Sequence, residues 1–510
     1  DPFHEVEVDV IVTDPDGVER RVPAFWAGGQ TWRVRYASPV VGTHRSHSVC
    51  SDEQNPDLHG QEGTLEVVPY AGNNPLLRHG SLRMSDSRRY LEHGDGTPFF
   101  WLGDTWWMGL CARLRWPGDF QALAADRVQK GFTVIQIVAG LYPDMPAFDE
   151  RGANEAGFPW EPDYSRLNPA YFDMADLRID WLVRSGLVPC IVGCWGYFLP
   201  WMGIERMKQH WRNLVARYGA YPVVWCLAGE GIMPYYLSEH KEQDREFQKK
   251  GWTELAAYVR QLDPFHHPIT IHPTDCAHNQ VDDPALLDLD MLQTGHGDRQ
   301  SLPNTVARVV ESYNRTPRLP VIDGEVCYEG IGEACRQEVQ RLMFWVCLLS
   351  GACGHTYGAN GIWQVNTREK PFGPSPHGMS WGHTPWEDAS RLPGSAQLGL
   401  AKRLLERYPW WRFEPHPEWV EPHWSEQNYS APYAAGIPGE VRVCFLPWFT
   451  PAVVVKRVEL GTTYRAFLFN PVNAEELHLG VVIPDGNGDW PLPLSRLPIY
   501  QDWVLVLEKG

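Results

Sequence analysis

Leu319-Pro320-Val321-Ile322-Asp323-Gly324-Glu325-Val326 is a short apolar run that breaks into carboxylates at its end. Runs this short, bounded by Pro and Gly, read as strands buried on both faces. The pattern recurs on both sides of it. The predicted strands are Phe99–Leu102, Thr133–Val138, Val188–Gly193, Val223–Ala228, Ile269–His272, Met291–Gln293, Val321–Asp323 and Gly354–Tyr357. Between them lie amphipathic helical stretches at Phe120–Lys130, Phe172–Ser185, Glu205–Tyr218, Phe247–Leu262, Leu302–Tyr313 and Glu333–Leu349. One connection, Pro284–Leu289, is short for a full helix. Eight buried strands alternating with helices predict an α/β chain built on a (β/α)8 TIM barrel. The alternative is an open doubly wound sheet. Its dinucleotide-binding form needs a G-x-G-x-x-G loop, and neither that nor a P-loop occurs.

The barrel is predicted to occupy residues 76–414, with a linker at its start and Tyr408-Pro409-Trp410-Trp411 closing it. Residues 1–75 alternate in short runs, Val6–Val12, Arg21–Phe25, Trp32–Tyr36 and Gly63–Val68, separated by turns such as Asp14-Pro15-Asp16-Gly17. Residues 415–510 return to the same pattern at Val441–Leu446, Val453–Val455, Thr463–Phe469 and Trp503–Leu507. Both flanks are therefore expected to be small all-β sandwich domains. The chain starts at Asp1 without Met, so the first module is expected to lack its beginning.

The 510 residues are 43% hydrophobic and 21% charged, which excludes a disordered or fibrous chain. No apolar run reaches the roughly 18 residues of a membrane span. A net charge of −18 argues against nucleic-acid and anionic-membrane partners. The 24 Trp and 20 Tyr suit a carbohydrate partner, though large cores use them too. The 11 Cys include no C-x-x-C pair, and several lie in apolar runs. Buried reduced thiols follow, and with them a cytoplasmic location rather than a secreted one. The sequence leaves the oligomeric state open and allows a homo-oligomer.

Catalytic groups of a barrel stand at the C-terminal ends of its strands. Glu230 and Glu325 each closely follow an apolar strand, the fourth and the seventh. Glycoside hydrolysis needs two carboxyl groups flanking the scissile bond, and these two strand ends face each other across a barrel mouth. The other strand ends carry Asp104, Trp106, Trp107, Gln136, Tyr142, Trp195, His272, His296, Tyr328, Glu329, His355, Tyr357 and Trp363, all candidates for substrate binding. Asp104 either holds sugar hydroxyls or caps the next helix. The three His could instead be metal ligands. No H-x-H follows the first strand and no H-E-x-x-H occurs, so neither metal nor cofactor is expected. Gly378-Met379-Ser380-Trp381-Gly382 has the spelling of a nucleophile elbow, but it sits in a Gly- and Pro-rich loop without the required strand and helix.

Phe99–Trp107, Val224–Glu230 and Leu319–Gly330 together resemble the corresponding motifs of a bacterial apiosidase-like glycoside hydrolase family. Trp32–Tyr36 resembles part of the β-module that precedes such barrels, and the C-terminal β-module resembles the one that follows. The resemblance implies a retaining glycosidase with Glu230 as acid/base and Glu325 as nucleophile. The wider clan carries Asn-Glu where this chain has Gly229-Glu230, and apiosidase-type members carry Asp at the second position, so apiose is not implied as the substrate. The expected activity is double-displacement cleavage of a glycosidic bond in oligosaccharides or glycan side chains. The rival readings are a non-catalytic carbohydrate-binding barrel and a metal-dependent barrel hydrolase.

Overall fold

A computed structural model describes residues 1–448, 450, 452–493 and 497–510. Its centre is a parallel sheet of eight strands: β1 (Trp101–Trp106), β2 (Val134–Val138), β3 (Val188–Val192), β4 (Val224–Cys226), β5 (Ile269–Thr270), β6 (Asp290–Gly295), β7 (Val321–Val326) and β8 (Gly354–Tyr357). The ladder runs β5-β4-β3-β2-β1-β8-β7-β6, so β1 and β8 are neighbours and the sheet curls into a (β/α)8 barrel. The seam between β5 and β6 has no ladder. It is closed by Asp288 N–H to the Ile269 carbonyl at 2.8 Å, Gln293 N–H to the Asp275 carbonyl at 2.9 Å and Thr270 Oγ1 to the Leu289 carbonyl at 3.1 Å. The connection across that seam holds only 3-10 turns, Ala277–Asn279 and Pro284–Leu286, as its shortness predicts.

The helices α1 (Gly118–Lys130), α2 (Pro169–Arg184), α3 (Ile204–Tyr218), α4 (Lys241–Leu262), α5 (Leu302–Asn314), α6 (Gln337–Leu349) and α7 (Pro393–Leu405) surround the sheet. Trp101, Trp211, Trp225, Trp252 and Trp345 are fully buried, so part of the Trp excess fills the core. Among the described residues no helix is long and apolar enough to cross a membrane. All 11 Cys are free and buried.

The first barrel strand differs from its sequence prediction. Phe99 pairs with Leu91 in a small three-stranded sheet (Leu82–Met84, Leu91–His93, Pro98–Phe99), and the barrel strand begins at Trp101. Asp104 and Trp106 therefore lie within β1 and not beyond it. Alternation turns them toward α1. There Arg127 Nε donates to Asp104 Oδ2 at 2.6 Å, and Trp106 packs edge-on against Phe120.

The N-terminal module is a four-stranded antiparallel sheet with Val8–Thr13 and Gly42–Cys50 at its centre, plus a two-stranded hairpin of Phe25–Trp26 with Trp32–Arg33. The C-terminal module is a two-layer sandwich. In its six-stranded sheet, Val443, Phe445, Phe467, Val504 and Val506 face the barrel core, while Cys444, Leu446, Leu468, Leu505 and Leu507 face a second core over a three-stranded sheet. Arg341 on α6 ties this module down with two charge-assisted bonds to Asp502, at 2.8 and 2.5 Å.

Candidate active site

Glu230 follows β4 and Glu325 lies near the end of β7, both facing one cavity of about 260 Å³. Ligand pockets span roughly 300–1,000 Å³, so this one is small. Gln293 on β6 joins the two carboxylates. Its Nε2 donates to Glu230 Oε1 at 3.1 Å and to Glu325 Oε1 at 3.3 Å. Those two oxygens are thus no farther apart than two hydrogen bonds laid end to end. That is shorter than the roughly 6.5–9.5 Å of inverting pairs and accommodates the roughly 5–5.5 Å of retaining pairs.

The two acids sit in opposite electrostatic settings. Glu230 has burial and the neighbouring Glu325 against its charge, which push its carboxyl up to about 7. Burial opposes ionisation of Glu325 too, but His272 and His296 outweigh it and hold the carboxyl well below the usual range. His296 Nε2 is 2.8 Å from Glu325 Oε1, and His272 Nε2 is 3.2 Å from Oε2. Burial works against the His296 cation as well, yet its bond to Glu325 raises its pKa above the ordinary imidazole value. At neutral pH Glu230 stands near the midpoint of its titration while Glu325 is ionised, so the two environments push a pair of carboxyls apart.

Trp195 Nε1 donates to Glu230 Oε2 at 3.2 Å. The indole gets there because residue 229 is Gly: a Cβ at that position would meet the Trp195 ring at 2.2 Å. Gly229 thus makes room for the Trp beside the Glu230 carboxyl. Glu230 itself has φ 44°, left-handed backbone that costs a non-Gly residue on the order of 1–3 kcal/mol and is kept where surroundings demand it. Trp107 Nε1 donates to Tyr328 Oη at 2.9 Å, and the Tyr328 ring lies 6.2 Å from that of Trp363 at an interplanar angle of 28°. Gly358 leaves the space for the Tyr328 ring, which a Cβ would meet at 2.0 Å.

A family model described as "Apiosidase-like, catalytic domain" matches residues 85–412, more than half of the chain and the whole barrel. The chain belongs to the apiosidase-like family. That makes the barrel the catalytic domain of a glycosidase. Residues 1–50 match a domain of unknown function, DUF5060. No curated protein matches the chain. Among solved structures, it is similar to a glycoside hydrolase family 5 protein from Bacteroides vulgatus, with 22% identity and a TM-score of 0.70 over 86% of this chain and 95% of that one. A putative glycoside hydrolase from the same organism aligns at 16% identity and a TM-score of 0.68, over 100% of this chain and 96% of that one. A further glycoside hydrolase aligns at 23% identity and a TM-score of 0.67, over 85% of this chain and 97% of that one. At these identities the likeness speaks for the fold.

In this apiosidase-like barrel, Trp107, Trp195, His296, Tyr328 and Trp363 line the cavity with the two Glu. His272 lies beneath them, edge-on to Trp107 at 5.1 Å. Gln136 sits in the barrel interior, where its Nε2 donates to the Gly324 carbonyl at 2.8 Å. The remaining candidates do not reach the cavity. Asp104 and Trp106 face α1, and Trp106 Nε1 donates to Asp104 Oδ2 at 2.6 Å. Tyr142 is buried, with its hydroxyl 2.7 Å from that of Tyr171. Tyr357 Oη donates to Glu329 Oε2 at 2.6 Å, and Glu329 accepts the Gly394 N–H at the start of α7. His355 packs against Phe344 of α6 with no partner for either ring nitrogen among the described residues. It is thus separated from His272 and His296, and the three do not form one metal site. Its neighbours are Asp323 and Cys347, whose ligand-type atoms lie with its own within 4.8 Å. There the Cys347 thiol donates to Asp323 Oδ2 at 3.3 Å.

Asp104→Ala tests the relocation directly. It takes from the fully buried Arg127 guanidinium its buried carboxylate and leaves it only Asp126, so urea unfolding is expected to show a loss of up to about 3 kcal/mol. The KM of the folded fraction should not move. A raised KM at unchanged stability would return Asp104 to the substrate.

Several cavity residues were not singled out from sequence: Gln293, Asp144, Met233, Tyr236, His377 and Trp381. Asp144 accepts from Ser375 Oγ at 2.6 Å, and Ser375 in turn accepts from Trp381 Nε1 at 2.9 Å. Tyr236 and His377 stack at 4.8 Å. These contacts join the loops after β2, β4 and β8 into one rim. Gln293 directly follows the apolar pair Met291-Leu292, and Asp144 follows Tyr142-Pro143, which are the signals the sequence did carry.

Proposed function

We propose that the protein is a retaining glycosidase that removes a terminal sugar or cleaves a short oligosaccharide, with Glu325 as nucleophile and Glu230 as acid/base. The observation that supports this is the Gln293 bridge, which keeps an oxygen of each carboxylate within two hydrogen-bond lengths of the other and so suits the short spacing of a retaining pair. In the first step a Glu325 oxygen bonds to the anomeric carbon, the glycosidic C–O bond breaks, and the Glu230 proton passes to the leaving oxygen. In the second, Glu230 takes a proton from water as that water attacks the anomeric carbon, and the glycosyl–Glu325 bond breaks. His272 and His296 hold the nucleophile ionised and fix its orientation. Gln293 Oε1 is buried and unpaired among the described residues, so it can accept a sugar hydroxyl. The small Trp-lined cavity supports a single bound ring as the specificity unit.

The test is turnover of a panel of aryl glycosides, with Glu325→Gln as the control. Failure of every member, or equal rates in the two proteins, would overturn the reading. On the best substrate the pH profile should follow from the two carboxyls. Glu230 must be protonated, so kcat/KM should fall about tenfold per pH unit above about pH 7. Glu325 must be ionised, which places the acid limb below the ordinary carboxylate value of about 4. A rate still climbing at pH 9 would exclude Glu230 as the acid.

A further inference from the structure

A second cavity, about 940 Å³, opens on the opposite face of the barrel, between the turns that lead into β7 and β8, the end of α7 and the C-terminal sandwich. That face of a barrel carries no catalytic strand ends. Its lining is nonetheless unlike a packing defect. Trp411 and Trp424 are half-buried, and their indole N–H groups have no protein partner among the described residues. Ser350, 2% exposed, has an unpartnered hydroxyl in the wall.

Two guanidinium groups, Arg89 and Arg318, share the cavity without an acidic partner among the described residues. Arg89 is fixed by a 2.6 Å bond to the Tyr313 carbonyl and lies 3.8 Å over the Tyr313 ring, which leaves its other donors free. Arg412, by contrast, is paired with Glu440 at 2.9 Å. The cavity's acid, Glu414, forms no ion pair with either Arg. Burial lowers the Arg89 pKa and the like charge of Arg318 adds to it, while Tyr313 and Glu414 act in the other direction. With Arg412 paired to Glu440, Arg89 and Arg318 outnumber Glu414 in the lining, so in a chain of net charge −18 this cleft is locally basic.

We propose that this cleft is a second, non-catalytic binding site for a carboxylated saccharide, a uronate-bearing oligosaccharide. Arg89 and Arg318 receive the carboxylates, since planar guanidinium forks suit them. Trp411 offers a ring face and an indole N–H, and Ser350 a hydroxyl, to the sugar. A chain held here raises the local concentration of scissile ends near the barrel without taking part in the chemistry.

Calorimetric titration with a galacturonate trimer tests it, beside a neutral glucose trimer and citrate. The uronate trimer is expected to bind saturably, with the neutral trimer and citrate about tenfold weaker or worse. Arg318→Glu, at an exposed position, and Trp411→Ala should each weaken the uronate trimer by about tenfold while melting normally. Both variants should keep wild-type kcat/KM on a small aryl glycoside. No saturable uronate binding, or affinity unchanged in both variants, would overturn the proposal. Citrate binding as tightly as the trimer would also overturn it, by making the cleft a small-anion site.

Discussion

Glu325→Gln is expected to lower kcat/KM by roughly 10⁴-fold or more while the protein melts as before. The amide is nearly the size of the carboxylate, so packing in the buried site survives. The attacking oxygen does not: an amide cannot form the glycosyl ester. Magnitude separates two roles. A group that only stabilises charge in the transition state costs about 10²–10³-fold when removed, whereas a missing nucleophile removes the pathway itself. A second readout belongs to the same change. His296 owes its raised pKa to the Glu325 charge, so its imidazole should titrate lower in the variant. A rate loss without that shift would point to a damaged site in which His296 and Glu325 no longer meet.

Glu230→Gln should show a different signature. Loss of general acid catalysis costs about 10²–10⁴-fold, but only where the leaving oxygen needs a proton. Alkyl glycosides and natural sugars should suffer the full loss in kcat/KM. Aryl glycosides with strongly acidic phenols should keep most of theirs. The alkaline limb near pH 7 should vanish at the same time, because the group that titrates there is gone. Equal losses across all leaving groups would assign Glu230 a role in binding. Trp195 reports on the same carboxyl: its N–H bond to Oε2 depends on Gly229, so Gly229→Ala should reproduce part of the loss through displacement of the indole.

The barrel was readable because its strands are buried on both faces and appear as apolar runs, with helical periodicity between them. The two Glu were readable for the same reason, since each follows such a run closely. Asp104 shows where that reasoning stops. Pairing of Phe99 with Leu91 delays the start of β1 by two residues, and a carboxylate expected past a strand end lies inside the strand, facing a helix. His355 and Tyr357 miss for another reason: the strand Gly354–Tyr357 lies where the sequence predicts it, but alternation turns both side chains out of the barrel, to contacts with α6 and with Glu329. The strand Gly42–Cys50 escaped detection because Gly-Thr-His-Arg-Ser-His-Ser-Val-Cys is polar nearly throughout and is held by pairing on both sides. Gln293, a common neutral residue after an apolar run, carries no local mark of bridging two carboxylates. Asp144, His377 and Trp381 belong to loops whose meeting depends on tertiary contacts across the mouth.

Proton NMR of the first product formed from the best substrate of the panel tests the central claim most directly. With Glu325 as nucleophile, each turnover inverts the anomeric carbon twice, so the first-formed sugar should have the configuration of the substrate, and mutarotation should follow later. A first product of opposite configuration would mean a single displacement by water and would contradict the assignment of Glu325.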